Sequence, residues 1–314
     1  PHVFKGKLPA PAKGYYEAVE CSFGGNEMLA EFAKKAITAE KLGQGETLDL
    51  LCVSFSSNDL IGHIYGPDSW EMLDVTMRSD KLMADFLTFL DSTVGKDRYT
   101  LVMSADHGVC PLPESKQFPT AQRLPVTEVY ATLKAGLDDA FKDKPGGPTE
   151  WFETNDPKDL DRIWPWVYLN HAAIKARGLE VDTVAGKLRE LLVELPYIVG
   201  AYSRKQLEAD VLEGEGSGVA YALYAKVKLA YHPDRCGDVI AVAKPGVLVT
   251  GYAAGTNHGT PQPYDTHVPV LAIGAGVPAL GKQTERRSSL IVAPILAKSL
   301  GIDPPAKAVE KAPY

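Results

Sequence analysis

The 314-residue sequence lacks the features of several protein classes. No apolar run approaches the ~18 residues that a transmembrane helix needs, and no signal peptide is recognisable in the opening residues. The net charge of −7 argues against a surface for polyanions, so nucleic acid is not an expected partner except as a small substrate. A membrane is not an expected partner either. The four cysteines form no CxxC pair, which argues against a zinc ribbon or a dithiol redox site.

Familiar nucleophile motifs are missing as well. The sequence has neither a GxSxG turn nor a Walker loop, and no Ser or Thr occupies a recognisable strand-to-helix nucleophile position. We therefore predict that this chain contains no catalytic nucleophile.

Alternating strand and helix patterns predict an α/β core. Residues 48–55 are apolar at their centre and open into a polar loop, as in a buried parallel strand. A helix is predicted next, with Asp68 or Ser69 as its N-cap and Gly95 as its end. A second strand at 99–104 would complete a parallel crossover. The predicted fold is a mostly parallel sheet flanked by helices.

The pattern changes between residues 115 and 250. Loops are predicted at 143–148 and 213–218, where glycine, proline and charged residues cluster, and short strands at 167–170 and 239–242. The chain is therefore predicted to have a first core part at 1–114, an inserted α+β subdomain at 115–250 and a second core part at 251–314.

Two short motifs carry side chains that can bind a metal ion. Asp59 and His63 are four residues apart, so on a helical turn they project from one face and can share a Zn²⁺. Asp106 and His107 directly follow a predicted strand, at the edge where ligand sites form in α/β sheets. Taken singly, an ordinary surface pair and a hydrogen-bonded turn explain these motifs as well.

A third motif is a loop rich in Gly and Pro around His258. His258 can ligate a metal ion, and a structural hydrogen bond explains its presence equally well. His267, further along, is the rival ligand, but its position at the edge of a predicted strand favours packing or hydrogen bonding. We favour His258.

These motifs occur in a fixed order that resembles the alkaline phosphatase superfamily. In particular, the chain resembles the bacterial alkaline phosphatases with a Thr nucleophile, which are related to the type I phosphodiesterases/nucleotide pyrophosphatases. The resemblance extends over nearly the whole chain. The stretches that carry it include SFSSNDLIGHIYGPDS at 54–69, SADHGV at 104–109, YHPDRCGDV at 231–239 and HGTPQPYDTHVP at 258–269.

Position by position, the resemblance implies that Asp59, His63 and His258 bind one zinc ion and that Asp106 and His107 bind a second. In the family, the second metal also takes an Asp from the first strand and the Thr nucleophile, and both precede anything seen in this chain. The resemblance therefore covers only the carboxyl-terminal portion of such an enzyme. Mn and Fe accept the same ligands, so the identity of the metal stays open.

The implied activity is metal-dependent hydrolysis of a small phosphate ester, in particular a phosphomonoester. The alternatives are a phosphodiesterase or nucleotide pyrophosphatase, and a non-catalytic metal-binding fragment. The complete enzyme would hold two Zn²⁺, whereas this chain alone would bind one or none well and would be inactive. The missing amino-terminal part of the same protein would be its partner. Relatives are generally exported, which implies a periplasmic or secreted location.

Overall fold

The computed structural model describes residues 14–145, 149–209 and 219–314. These residues divide into two compact units. The first unit contains the chain up to Val109 and again from His267 onward, and the second contains Cys110–Thr266. The second unit is therefore an insertion into the sequence of the first.

Helices and strands alternate irregularly along the chain. The helices are α1 (Tyr15–Glu20), α2 (Phe23–Ala39), α3 (Ser57–Tyr65), α4 (Trp70–Leu90), α5 (Val126–Ala140), α6 (Pro157–Ile163), α7 (His171–Ala176), α8 (Val181–Glu194), α9 (Arg204–Glu208), α10 (Val219–Ala230), α11 (Pro263–Thr266) and α12 (Val292–Leu300). The strands are β1 (Thr100–Ser104), β2 (Gln122–Pro125), β3 (Trp166–Val167), β4 (Ile198–Ser203), β5 (Val239–Ala243), β6 (Val247–Thr250) and β7 (Val270–Gly274). Of the helices described, none combines the length and the apolar character that crossing a membrane requires.

The first unit packs α2 and α4 against a pair of strands. β1 and β7 are antiparallel, with Thr100 opposite Gly274 and Ser104 opposite Val270. The two helices present apolar side chains at helical spacing, and these pack on Leu101 of β1. The buried members of this small cluster are Ala33, Ile37, Phe86, Leu90 and Val94.

The second unit has a sheet that is covered on both faces. Its antiparallel strands have the order β3-β5-β4, and β5 is buried at every position. Because successive strand side chains point to opposite faces, Val239 and Ala241 pack into the cluster formed with α5 and α8, whereas Ile240 and Val242 pack into the cluster formed with α10. β2 and β6 form a separate parallel pair in the same unit.

Local sequence signals predict several elements correctly. The Ser69 side chain caps α4 by accepting a hydrogen bond from the Met72 backbone N–H at 3.1 Å, so Ser69 rather than Asp68 is the cap. The helical segment ends at Gly95, whose φ of 107° lies in the region that favours glycine. The strand predicted at 99–104 is β1. The α/β fold class is confirmed.

The strand predicted at 48–55 is wrong for this structure. Residues 48–55 have no regular secondary structure, and Leu50 is 68% exposed. A strand needs a neighbour that pairs with its backbone N–H and C=O groups, and in the part of the chain that the structure describes no strand pairs with this segment. The predicted predominance of parallel pairing is not observed either, because only β2 and β6 are parallel among the described strands.

The central part of the chain agrees with its predicted strands. The strand predicted at 239–242 is β5, and the one at 167–170 begins within β3. Of the predicted loops, residues 143–145 form a turn, whereas 146–148 and 213–218 lie outside the described residues. The predicted boundaries of the insert at 115 and 250 stay a prediction beside the compact unit at Cys110–Thr266.

Candidate metal centre

α3 carries the first pair of predicted metal ligands. Asp59 lies in its first turn and His63 in its last. His63 Nε2 lies 3.5 Å from Asp59 Oδ1, and both side chains are partly exposed. The pair therefore projects from one face of the helix, as its spacing predicts, and solvent reaches it.

Asn26 of α2 holds the N-terminal end of α3. This side chain is fully buried. Its Nδ2 donates to Asn58 Oδ1 at 2.8 Å, and its Oδ1 accepts from the Ser57 backbone N–H at 3.3 Å. A Cβ at Gly25 would collide with the Ser57 hydroxyl, so a larger residue there would have to displace that side chain. These contacts fix the turn that carries Asp59.

Asp106 and His107 directly follow β1. His107 Nδ1 lies 2.9 Å from the Gly108 carbonyl oxygen. Because a carbonyl oxygen only accepts hydrogen bonds, Nδ1 is the donor, and in the neutral ring this leaves the lone pair on Nε2. Nε2 lies 3.6 Å from Asp106 Oδ2, and the Asp106 side chain is 89% exposed.

The two motifs converge within the first unit. A carboxylate oxygen of Asp59 and a ring nitrogen of His107 lie within 4.8 Å of each other. In the order His63, Asp59, His107 and Asp106, each of the four side chains therefore has a polar atom within 4.8 Å of the next. Carboxylate oxygens and imidazole nitrogens are donors that zinc takes in proteins.

His258 lies in the second unit, in the loop between β6 and α11. It is partly buried, and its backbone N–H donates to Asn257 Oδ1 at 2.9 Å. His267, the rival ligand, belongs to the first unit and is exposed. The choice between the two histidines is therefore a choice between residues of different units, and it stays a prediction.

Arg123 and Cys110 hold the first half of the His258 loop. Arg123 pairs with Glu114 at 2.8 Å and donates to the Gly255 carbonyl at 2.7 Å. The hydrogen bonds from the guanidinium lower the pKa of the Glu114 carboxyl. The Cys110 backbone N–H donates to the Asn257 carbonyl at 3.1 Å, and burial raises the pKa of the Cys110 thiol. A buried thiol of this kind is structural.

Asp265 holds the second half of the same loop. Its Oδ2 accepts hydrogen bonds from the Thr260 backbone N–H at 2.7 Å and from the Thr260 hydroxyl at 2.6 Å. Gln262 Nε2 donates to the Ala243 carbonyl at 2.8 Å. Asp265 and Gln262 are buried, so water competes little for these hydrogen bonds. The backbone around His258 is thus fixed on both sides.

The sequence-based predictions did not identify these positioning residues. Asn26 and Arg123 belong to no motif, because each holds a partner that is distant in sequence. Asp265 lies within the stretch 258–269, but its role as the acceptor for Thr260 was not predicted. The signal that could have indicated it is a hydroxyl residue followed at short range by a carboxylate in a loop rich in Gly and Pro.

Three kinds of comparison relate the chain to known proteins. The family model for type I phosphodiesterase/nucleotide pyrophosphatase matches residues 10–268. The alkaline phosphatase PhoV of Synechococcus elongatus is 30% identical over 99% of this chain and 52% of PhoV. A protein of Myroides odoratus named as a calcium-transporting ATPase is 31% identical over 92% of this chain and 50% of its own length.

The alkaline phosphatase PafA of Elizabethkingia meningoseptica extends the comparison to a solved structure. PafA is 28% identical over 91% of this chain. Its wild-type crystal structure matches with a TM-score of 0.78 and 26% identity, covering 96% of this chain and 55% of the PafA chain. This chain therefore spans about half the length of the relatives that it matches. It belongs to the type I phosphodiesterase/nucleotide pyrophosphatase family, in the bacterial alkaline phosphatase branch of the alkaline phosphatase superfamily.

Proposed function

We propose that this chain supplies the metal-binding part of a phosphomonoesterase that works through two zinc ions. The observation that carries the proposal is the approach of Asp59 and His107, which come from different motifs and have ligand atoms within 4.8 Å. The names of PhoV and PafA, both alkaline phosphatases, support phosphate esters as the substrate class.

Asp59, His63 and His258 would hold the first ion, and Asp106 and His107 the second. The approach of Asp59 to His107 would then join two adjacent sites, which fits the ~4 Å spacing of ions in two-metal hydrolases. His107 supports this assignment further. Its Nδ1–H donates to the Gly108 carbonyl, and a hydrogen bond of this kind orients a histidine that ligates through Nε2.

The donor set fits zinc, which takes imidazole nitrogens and carboxylate oxygens. When bound, such ions stabilise negative charge on phosphoryl oxygens and lower the pKa of the attacking oxygen. Other side chains of this protein position the ligands. Asn26 fixes the turn that carries Asp59, and Asp265 fixes the loop that carries His258.

The nucleophile is proposed to come from polypeptide outside these 314 residues. No residue of this chain is assigned a catalytic role, and the two side chains proposed for the second ion are too few to hold it firmly. We therefore expect the isolated chain to bind at most one zinc ion well. We also expect it to hydrolyse p-nitrophenyl phosphate far more slowly than a complete enzyme of the family.

Zinc titration of single variants tests the first site. Asp59→Ala should lose most of the zinc that the chain retains after dialysis, because it removes one of three ligands. Asp85→Ala is the matched control, since Asp85 is an exposed carboxylate on α4. Equal zinc content in the two variants, measured by elemental analysis and calorimetry, would contradict the proposed site.

A second pair of variants separates the two candidate histidines. His258→Ala should weaken zinc binding about tenfold or more, because the loss of a ligand's hydrogen-bond partner alone has an effect of that size, whereas His267→Ala should leave it unchanged. The reverse result would move the third ligand to His267 and would leave the Asp59 assignment intact.

The second candidate function is hydrolysis of phosphodiesters, which the family model for type I phosphodiesterase/nucleotide pyrophosphatase favours. The two activities differ in whether the leaving group departs from a monoester or a diester. A complete enzyme that contains this chain should cleave p-nitrophenyl phosphate faster than bis(p-nitrophenyl) phosphate. A preference for the diester would replace the phosphomonoesterase by the phosphodiesterase, and no hydrolysis of either would favour a non-catalytic metal-binding fragment.

The proposed cellular location is periplasmic or secreted. The support for it is the likeness to bacterial alkaline phosphatases. Fractionation of cells that make the native protein, followed by immunodetection in the periplasm and the medium, is the direct test.

A further inference from the structure

The second unit contains a cleft beside the loop that carries His258. Asp161 of α6 lines this cleft, together with Trp164 and Pro165, which follow the same helix. Residues 257–261 of the loop also line it, and residues of β5 and β6 complete a largely apolar lining. We refer to this feature as the His258 cleft. The proposed function uses His258 but assigns no role to Asp161 or Trp164.

Neighbouring residues hold the lining of the His258 cleft in place. The Trp164 ring is partly buried and makes an edge-to-face contact with Tyr130, with 6.4 Å between the ring centroids. Asp161 Oδ1 accepts a hydrogen bond from the Gly251 backbone N–H at 2.5 Å, so α6 is tied to the loop that carries His258. Because the lining is already ordered, a ligand that enters the cleft loses little free energy to the ordering of side chains.

The charge of the cleft indicates which kind of ligand it fits. Among the described residues that line it, Asp161 is the only carboxylate, and neither Lys nor Arg is present. Lys226 approaches the loop, where its Nζ donates to the Pro261 carbonyl oxygen at 2.6 Å, but it is not a lining residue. An ammonium group donates charge-assisted hydrogen bonds to a carboxylate and is attracted to the face of an indole ring. Asp161 and Trp164 together therefore favour a cationic group.

The size of the cleft sets a limit on that group. Its cavity has a volume of about 40 Å³, and a water-sized group needs roughly 10–15 Å³ of such volume. The cleft therefore takes about three non-hydrogen atoms, which corresponds to an ethylammonium group rather than to an aromatic ring or a nucleoside. The rest of a larger substrate would have to lie outside the cleft.

The position of the cleft indicates which end of a substrate would enter it. The resemblance places the nucleophile on the second metal, whereas it assigns His258 to the first. In two-metal hydrolases one ion stabilises the attacking oxygen and the other stabilises the leaving oxygen. A group that binds beside His258 would therefore lie on the side of the leaving oxygen.

We propose that the His258 cleft binds a small ammonium group on the leaving alcohol, so that phosphomonoesters of amino alcohols are preferred substrates. Phosphoethanolamine is the simplest ester of this class. Its hydrolysis breaks the P–O bond to the alcohol, and water supplies a hydroxyl group to phosphorus and a proton to the leaving oxygen, which gives phosphate and ethanolamine. The proposal rests on the proposed function, because the assignment of His258 to the first ion places the cleft on the leaving-group side.

Binding to the 314-residue chain tests the cleft without turnover. Ethanolamine, 1-propanol and glycolate are suitable probes, because they have similar sizes and differ in charge. Ethanolamine should shift the NMR signal of the Trp164 indole N–H, which is assigned by its loss in Trp164→Phe, whereas the other two probes should not. No shift with ethanolamine, or an equal shift with 1-propanol, would overturn the proposal.

Two carboxylates of α6 provide matched variants. Asp161→Asn removes the negative charge but keeps an acceptor for the Gly251 N–H, and it should weaken ethanolamine binding about tenfold or more, the effect of a lost hydrogen bond to a charged group. Asp159→Asn is the control, since Asp159 is exposed on the same helix and does not line the cleft. Equal affinity in the two variants would contradict the role of Asp161. Far-UV circular dichroism checks that both are folded, and the comparison of the three probes on the unchanged chain does not depend on either variant.

Kinetics of a complete enzyme that contains this chain separate the proposal from the proposed function. The kcat/KM for phosphoethanolamine should exceed that for propyl phosphate about tenfold or more. Asp161→Asn should bring this ratio close to one, whereas Asp159→Asn should leave it unchanged. Binding of ethanolamine without hydrolysis of either ester would support the cleft and count against the phosphatase. Hydrolysis of both esters with equal kcat/KM would support the phosphatase and overturn the cleft as a site for the leaving group.

Discussion

In the second unit, β5 is buried at every position, whereas in the first unit β7 exposes Leu271 and Ile273 on one face. Both strands are apolar, so hydrophobicity does not explain the difference. β5 has a strand on each side and helices over both faces, but β7 is paired only with β1 among the described strands. Burial of an apolar strand therefore depends on which elements the rest of the polypeptide supplies.

The comparison has a consequence for stability. The clusters of the second unit contain most of the buried apolar side chains described here, and they are formed entirely from its own residues. The corresponding cluster of the first unit is small. We expect most of the unfolding free energy to reside in the second unit, because that energy scales with the apolar area removed from water.

Leu188→Ala should have the largest effect on this comparison. Leu188 of α8 is inaccessible to water, so its truncation should lower the free energy of unfolding by about 2–5 kcal/mol. Leu50→Ala is the matched change in the first unit and should alter it by less than about 0.5 kcal/mol. Urea unfolding followed by tryptophan fluorescence measures both. Equal losses would break the contrast between the units.

Arg177→Met should have the next largest effect. The Arg177 guanidinium is buried against Trp151 and donates to the carbonyls of Phe141 and Pro145. Its removal leaves these carbonyls without that partner, which should cost about 2–3 kcal/mol. Arg162→Met, at an exposed position on α6, is the control and should be nearly neutral in the same urea titration. A neutral Arg177→Met would show that the polar contacts of the second unit contribute little.

Asn26→Ala should have a smaller effect, which lies in the first unit. It removes the hydrogen bonds that hold the start of α3, and we expect a loss of about 1–2 kcal/mol. Because Asp59 is carried on that turn, zinc binding should weaken as well. Asn155→Ala changes an exposed asparagine of the second unit and should alter neither quantity. A loss of stability without a change in zinc affinity would show that the Asn26 hydrogen bonds do not position Asp59 for zinc binding.

Tyr99 of the first unit and Tyr231 of the second can be compared with each other. Their substitution should have the smallest effect on stability. Burial and a hydrogen bond to a carboxylate, Asp91 or Glu208, raise the pKa of each phenol to about 12. The folded state therefore favours the neutral phenol, and this contribution is complete below pH ~10 and is lost as the pH rises towards 12. Phenolate absorbance should show one late-titrating group fewer in Tyr99→Phe and in Tyr231→Phe. Titration of both near pH 10 would contradict the prediction.

Elements defined by local signals could be predicted from the sequence, and elements defined by distant partners could not. Ser69 and Gly95 delimit the helical segment that begins with α4, because a cap acts on its own helix. The segment 48–55 has the residues of a strand but lacks a neighbouring strand among the described residues. Whether such a segment forms a strand depends on a pairing partner, which its own sequence does not specify.

The candidate site shows the same division. The Asp59–His63 and Asp106–His107 motifs were identified by spacing and by resemblance, and the structure brings Asp59 and His107 together. Asn26 and Arg123 were not identified, because each holds a backbone group that is remote in sequence. The ligand assignment to two ions stays a prediction.

The pairing of β1 with β7 also affects the order in which the chain can fold during synthesis. Residues 100–104 leave the ribosome long before their partners at 270–274, and the whole second unit is made in between. Since domains generally fold as units when their sequence is complete, the inserted unit can reach its native state first. The first unit can complete its own fold only later, once β7 has been synthesised.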